Sequence, residues 1–201
     1  DDVITLVGPG SATLKGVGGD DTLTGGAGAD LISGGEGDDL IDGGLGDDLI
    51  SGDQGMDTIY GSDGEDFISG DAGDDFIDGG AGADFITGDE GVDVIDGGSG
   101  ADTIDGGIDD DTIMGGMGDD TIEGGSGIDT AVFEGVQDDF TFAVAPDGTL
   151  TVTDTNTDTA LGVDVISGVE TLRFDDGDLS VTTTAEGDVT LTGSDDVDDV
   201  I

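Results

Sequence analysis

Residues Gly25 to Ser51 read GGAGADLIS (Gly25 to Ser33), GGEGDDLID (Gly34 to Asp42) and GGLGDDLIS (Gly43 to Ser51). The same nine-residue register, Gly-Gly-x-Gly-x-Asp-x-U-x with U a large apolar residue, extends without insertion or deletion from Gly16 to Val132, thirteen copies in all. A fixed period of this length marks a solenoid, in which each unit buries its apolar residue only by stacking on its neighbours. The U positions are Leu23, Ile32, Ile41, Ile50, Ile59, Ile68, Ile77, Ile86, Ile95, Ile104, Ile113, Ile122 and Ala131. Isoleucine is β-branched and suits a strand. Each copy offers one large apolar side chain, about 1.5–3 kcal/mol when buried. Ordering even a few of its nine residues costs as much, at about 1–2 kcal/mol of backbone entropy apiece. Apolar burial alone therefore cannot fold the segment.

The missing contribution is sought in the invariant aspartates of the sixth position: Asp21, Asp30, Asp39, Asp48, Asp57, Asp66, Asp75, Asp84, Asp93, Asp102, Asp111, Asp120 and Asp129. Glycines at positions one, two and four (for example Gly25, Gly26 and Gly28; Gly34, Gly35 and Gly37; Gly43, Gly44 and Gly46) let backbone carbonyls approach a common point. Carboxylate plus carbonyl oxygen is a hard, flexible ligand set that favours Ca²⁺ over the strictly octahedral Mg²⁺. The chain has no histidine or cysteine to hold zinc. If each ion sits between coils n and n+2, thirteen coils hold up to about 11 ions.

These residues resemble the RTX, or hemolysin-type calcium-binding, repeat. The resemblance implies an all-β fold. In it the Gly-Gly-x-Gly-x-Asp stretch makes a metal-binding turn and x-U-x a short strand. Successive turns then alternate sides of a flattened right-handed parallel β-roll. It further implies a secreted protein, exported unfolded by a type I system, which agrees with the absence of cysteine.

Composition narrows the function. Fifty-one acidic residues face two basic ones, Lys15 and Arg173, for a formal charge of −49. Such a chain resists compaction without counter-charge and lacks the basic footprint needed for nucleic acid. An anionic membrane surface would repel it, and no apolar run approaches the roughly 20 residues of a spanning helix. Without metal, the composition is that of a disordered segment. Lacking histidine and cysteine, the chain can form no histidine-based triad or zinc-hydrolase site, and no catalysis is expected. The chain starts at Asp1 with no apolar leader, so a processed product or a piece of something longer is expected.

The repeats are not uniform. Position two is Asp53, Asp71, Asp89, Ser62 or Val17 in five copies, and position four is Asp109 in one. Aspartate tolerates the left-handed region, so that turn is expected to survive with weaker metal binding. Residues 1–15 read as an N-terminal strand and a degenerate capping coil, in which Val7 to Lys15 keep Leu14 at the apolar slot but have Ala12 in place of the aspartate. Residues 16–132 form the roll, and Ala131 is expected to taper its core. Residues 133–201 read as a β-rich cap covering the open edge, with strands at Phe140-Thr-Phe-Ala-Val, Leu150-Thr-Val-Thr and Val169 to Phe174, and a turn at Pro146-Asp-Gly148. Within it Arg173 is expected to pair with acidic neighbours. Asp188-Val-Thr-Leu-Thr192 is a possible strand. Gly193 to Ile201 reads as the start of a further repeat in a tandem array or as a secretion tail, the echo of Asp1-Asp-Val-Ile4 in Asp198-Asp-Val-Ile201 being short enough for coincidence.

Position seven points outward if U points inward. It is apolar in mid-roll: Leu31, Leu49, Phe67 and Phe85 on one face, Leu40, Phe76 and Val94 on the other, interrupted by Thr58. Such a row suggests a contact surface for self-association or a sister module. An ice-binding face is rejected, because the third positions (Ala27, Glu36, Leu45, Gln54, Asp63) and the fifth (Ala29, Asp38, Asp47, Met56, Glu65) are mixed. The expected function is a calcium-binding structural module of a surface layer, filament or adhesin. The alternative is the calcium-folding secretion domain of a hydrolase.

Overall fold

The computed structural model describes residues 1–6, 8–156, 159, 161–183 and 189–193. Its strands begin with β1 (Val3–Thr5), β2 (Thr13–Gly18), β3 (Thr22–Ala27), β4 (Leu31–Glu36), β5 (Leu40–Leu45), β6 (Leu49–Gln54) and β7 (Thr58–Asp63). There follow β8 (Phe67–Ala72), β9 (Phe76–Ala81), β10 (Phe85–Glu90), β11 (Val94–Asp96), β12 (Thr103–Ile108), β13 (Thr112–Met114), β14 (Thr121–Ser126) and β15 (Thr130–Val132). After the last nonapeptide come β16 (Phe140–Val144), β17 (Leu150–Asp154), β18 (Val163–Ser167), β19 (Thr171–Phe174), β20 (Gly177–Thr183) and β21 (Val189–Gly193).

Alternate copies join alternate sheets. One sheet runs β1-β3-β5-β7-β9-β11-β13-β15 and the other β14-β12-β10-β8-β6-β4-β2, all parallel, in a solenoid of about seven turns. The register advances by two repeats. Ile32, Ile50, Ile68, Ile86, Ile104 and Ile122 stack in one sheet. Ile41, Ile59, Ile77, Ile95, Ile113 and Ala131 stack in the other. These side chains are 0–1 % exposed and form the core between the sheets. Leu14, stacked on Ile32, and the partly buried Ile4, opposite Leu23, extend it toward the N-terminus. Val7, in the proposed capping coil, lies outside the described residues.

The segment after Val132 does not simply cover an edge. It continues both sheets. Strand β18 adds parallel to β14 with Ile166 opposite Ile122, and β19 adds parallel to β15 with Leu172 opposite Ala131. Ala131 therefore does not end the core, which runs on through Ile166 and Leu172 into a cluster of Phe133, Phe140, Phe142 and Phe174. The expected strands and the turn at Pro146 to Gly148 are present. The β16–β17 hairpin pairs antiparallel onto β18, while β20 and β21 pair antiparallel onto β19. Arg173 pairs with Asp178 at 3.4 Å, both about half exposed, so this is a surface pair. The stretch 194–201 lies outside the described residues.

Ile77→Ala in the central ladder should cost about 2–5 kcal/mol by urea unfolding under conditions that support the fold. Leu45→Ala, at a side chain 52 % exposed, should stay within about 0.5 kcal/mol. Equal losses at the two positions would contradict the two-ladder core.

Candidate metal centre

All thirteen sixth-position aspartates, Asp21 through Asp129, are 0–3 % exposed. Their two oxygens have different surroundings. Oδ1 accepts the backbone N–H of the aspartate two coils earlier: Asp39 from Asp21 at 2.7 Å, Asp75 from Asp57 at 2.7 Å, Asp111 from Asp93 at 2.9 Å. At the N-terminal end Asp2 and Ala12 supply that N–H to Asp21 and Asp30. Oδ2 of every one of the thirteen is buried without a hydrogen-bond partner. A buried, unpaired anionic oxygen is costly unless a cation or proton neutralises it.

The first-position glycines face these orphan oxygens. A methyl group on Gly79 would lie 2.7 Å from the Gly97 carbonyl oxygen, 2.8 Å from Asp84 Oδ2 and 2.9 Å from Ile86 Cδ1. One on Gly43 would meet Asp48 Oδ2 at 2.5 Å and the Gly61 carbonyl oxygen at 2.8 Å. The carboxylate of one coil and the first-position carbonyl of the coil two later thus converge where a side chain would stand. Among the carbonyls expected as ligands, those of Gly34 and Gly43 occupy this place beside Asp21 and Asp30. Those of Gly26 and Gly37 instead face Gly44 and Gly55 in the next coil of their stack.

Position two answers to a different constraint. Its φ is positive in every copy, including Val17, Asp53, Ser62, Asp71 and Asp89, and Asp109 at position four adopts φ 82°. The turn at Asp109 keeps its bond, the N–H donating to the Ser126 carbonyl at 2.8 Å. Asp53 and Asp89 also accept from Ser33 and Ser69 at 2.6 Å, and Asp71 accepts from Ser51. These substitutions build an outer hydroxyl–carboxylate ladder.

Among the described residues no three acidic side chains converge as a ready-made metal cluster. At points such as those beside Gly43 and Gly79, one carboxylate oxygen meets one backbone carbonyl oxygen rather than a second acidic side chain. An all-oxygen donor set with one unpaired carboxylate oxygen is suited to a hard divalent cation.

Two residues of this ladder lie beyond the nonapeptide run. Asp164 Oδ1 accepts from Asp120 N–H at 3.0 Å, and Glu170 Oε2 accepts from Asp129 N–H at 2.9 Å. The available signal was Gly162-Val-Asp-Val-Ile-Ser-Gly168, which matches Gly91-Val-Asp-Val-Ile-Asp-Gly97 at all but one position. A search for an unbroken nine-residue phase passes over it.

Burial first, opposed by the backbone hydrogen bond and reinforced by neighbouring carboxylates, pushes the sixth-position carboxyls from Asp39 to Asp129 upward from 3.8. Asp57, Asp75, Asp102 and Asp111 rise to about 7, and Asp48, Asp66 and Asp93 to about 6. Asp39, Asp84, Asp120 and Asp129 move the same way.

The model of the RTX calcium-binding nonapeptide repeat (4 copies) matches residues 15–50, 51–86, 70–104, 87–122 and 96–131. No curated protein matches the chain. No helix among the described residues is long and apolar enough to cross a membrane.

The raised values set a pH dependence. The metal-free fold holds more protons than the unfolded chain between pH 3.8 and about 7, so its stability is greatest below 3.8 and is lost as pH rises to about 7. Calcium needs the ionised carboxylate, so protons compete with it. Because the calcium-free chain at neutral pH is unfolded, with carboxyls near 3.8, the calcium concentration at half-folding should rise on acidification toward pH 4, with protons released on binding at pH 4 and few at pH 8. Calorimetry in buffers of differing ionisation enthalpy checks this. A binding enthalpy independent of buffer at pH 4 would contradict it.

Proposed function

This chain belongs to the family built on the RTX calcium-binding nonapeptide repeat, and we propose that it is a secreted structural module, unfolded until it meets extracellular calcium. The observation that carries this reading is the column of thirteen buried carboxylate oxygens, one per coil, with no donor of their own. We assign the ligands as the side chains of Asp21, Asp30, Asp39, Asp48, Asp57, Asp66, Asp75, Asp84, Asp93, Asp102, Asp111, Asp120 and Asp129, together with carbonyls of the glycine turns. Metal binding is then folding free energy, and the roll becomes a stiff element only in its loaded state.

The β-roll is a structural calcium-binding fold, and its carboxylates are accounted for as ligands and surface. A role in a surface layer, filament or adhesin is favoured over that of a hydrolase's secretion domain by the outward rows. Leu31, Leu49, Phe67 and Phe85 are 42, 48, 48 and 38 % exposed and lie in register along one sheet. The Phe67 and Phe85 rings stack at 4.5 Å. Leu40, Phe76 and Val94 are exposed on the other sheet. A contiguous apolar row on so acidic a molecule is a contact surface in waiting, which calcium exposes in order while lowering the charge that keeps copies apart.

Circular dichroism should report a coil in chelator and a β-rich fold in calcium, with a midpoint of about 10⁻⁴–10⁻³ M, and magnesium should not substitute. Asp75→Ala should raise that midpoint more than Asp21→Ala, because a central coil has neighbours on both sides. A β-rich spectrum in excess chelator would sink the reading.

Light scattering tests assembly separately. Phe67→Thr with Phe85→Thr should keep calcium-dependent folding and weaken calcium-dependent association. A wild type that remains monomeric at high protein and calcium concentration would remove the assembly role.

A further inference from the structure

Between Val132 and Gly162 the nonapeptide phase is interrupted, yet the three-dimensional stack is not. Within the roll, partners in the aspartate ladder are 18 residues apart. Asp120 and Asp164 make the same bond 44 residues apart. The outer ladder behaves likewise: Met56 N–H donates to Asp38 18 residues away, and Val163 N–H to Asp119 44 residues away, both at 2.9 Å. The chain thus leaves the solenoid, forms the β16–β17 hairpin and re-enters it in phase.

At the point of re-entry one feature repeats the pattern of the roll. Asp129 is fully buried, and its Oδ2 lacks a hydrogen-bond partner. A methyl on Gly124 would lie 2.8 Å from that oxygen and closer still to the carbonyl oxygen of Gly168. Gly168 stands where the first-position glycine two coils later stands for the coils beginning at Gly16 through Gly106. At Gly115, on the opposite side, the three nearest atoms all belong to Asp120 itself, so the coil interrupted by the insertion differs from its neighbours.

We infer that the metal stack runs one site beyond the uninterrupted repeats. The Asp129 carboxylate and the Gly168 carbonyl together hold a divalent cation that docks residues 163–174 onto the roll. The inference rests on the calcium reading of the roll and extends it to a site split across an insertion. Its consequence is that the C-terminal segment is folded by metal, although it carries no complete nonapeptide.

The test uses the full chain with calcium alone as ligand. Calcium stoichiometry and hydrogen exchange are measured for the wild type, Asp129→Asn, Asp21→Asn and Asp75→Asn. Asparagine keeps the side-chain oxygen that accepts the Asp111 N–H and removes the charge. In the wild type, peptides covering 163–174 should be unprotected in chelator and protected in calcium. In Asp129→Asn the chain should bind less calcium, and 163–174 should lose protection while β4 to β10 keep theirs. Asp21→Asn should leave 163–174 protected. Protection of 163–174 in chelator, its persistence in Asp129→Asn, or its equal loss in Asp21→Asn would each overturn the split site. If Asp75→Asn loses calcium and Asp129→Asn does not, only the split site falls. If the wild type takes up no calcium, the reading of the whole roll falls with it.

Discussion

Everything in this molecule turns on a carboxylate whose two oxygens have different obligations. One oxygen closes a hydrogen bond to the backbone of a coil 18 residues earlier, which fixes how coils stack. The other is left buried and unpaired at a point reached by a backbone carbonyl. The first interaction defines the solenoid geometry, and the second makes that geometry unfavourable until positive charge arrives. With only one isoleucine per repeat in the core, the fold has little apolar reserve to absorb that cost. Structure and ligand are therefore the same question here, and a metal-independent version of this fold would need a different sixth residue.

The nonapeptide period made the architecture and the candidate ligands legible, because a solenoid turns sequence phase directly into spatial register. The same dependence on phase hid the rest. Gly162 to Gly168 carries the motif, but the hairpin inserted before it shifts its phase, and no property of the linear sequence states that the chain re-enters the stack. The Ser33–Asp53 and Ser69–Asp89 bonds were equally hidden, since they join residues 20 apart on different coils. Arg173 does pair with an acidic neighbour of the C-terminal segment, Asp178, while the exposure of that pair depends on packing that residue type does not state.

The variation among repeats has a physical reading. Position one is glycine in all thirteen copies, because a Cβ there would occupy the convergence point of carboxylate and carbonyl. Position two takes a positive φ in every copy, and Asp53, Asp71 and Asp89 adopt it with φ of 71–74°. Two glycines that look alike in the motif thus meet different neighbours: a Cβ at position one would strike the carboxylate, while one at position two would approach a backbone carbonyl and also requires a positive φ.

The 18-residue register also sets a change of length. A fully extended chain spans about 3.3–3.6 Å per residue, so 18 residues reach roughly 60 Å. Stacked as one turn of a parallel sheet, the same 18 residues advance the molecule by about 4.7–4.9 Å. Folding therefore shortens the repeat segment roughly twelvefold along its axis. A chain fastened at both ends would convert a change in cation concentration into a pull, and an array of such segments would behave as a contractile tether as well as a stiff spacer.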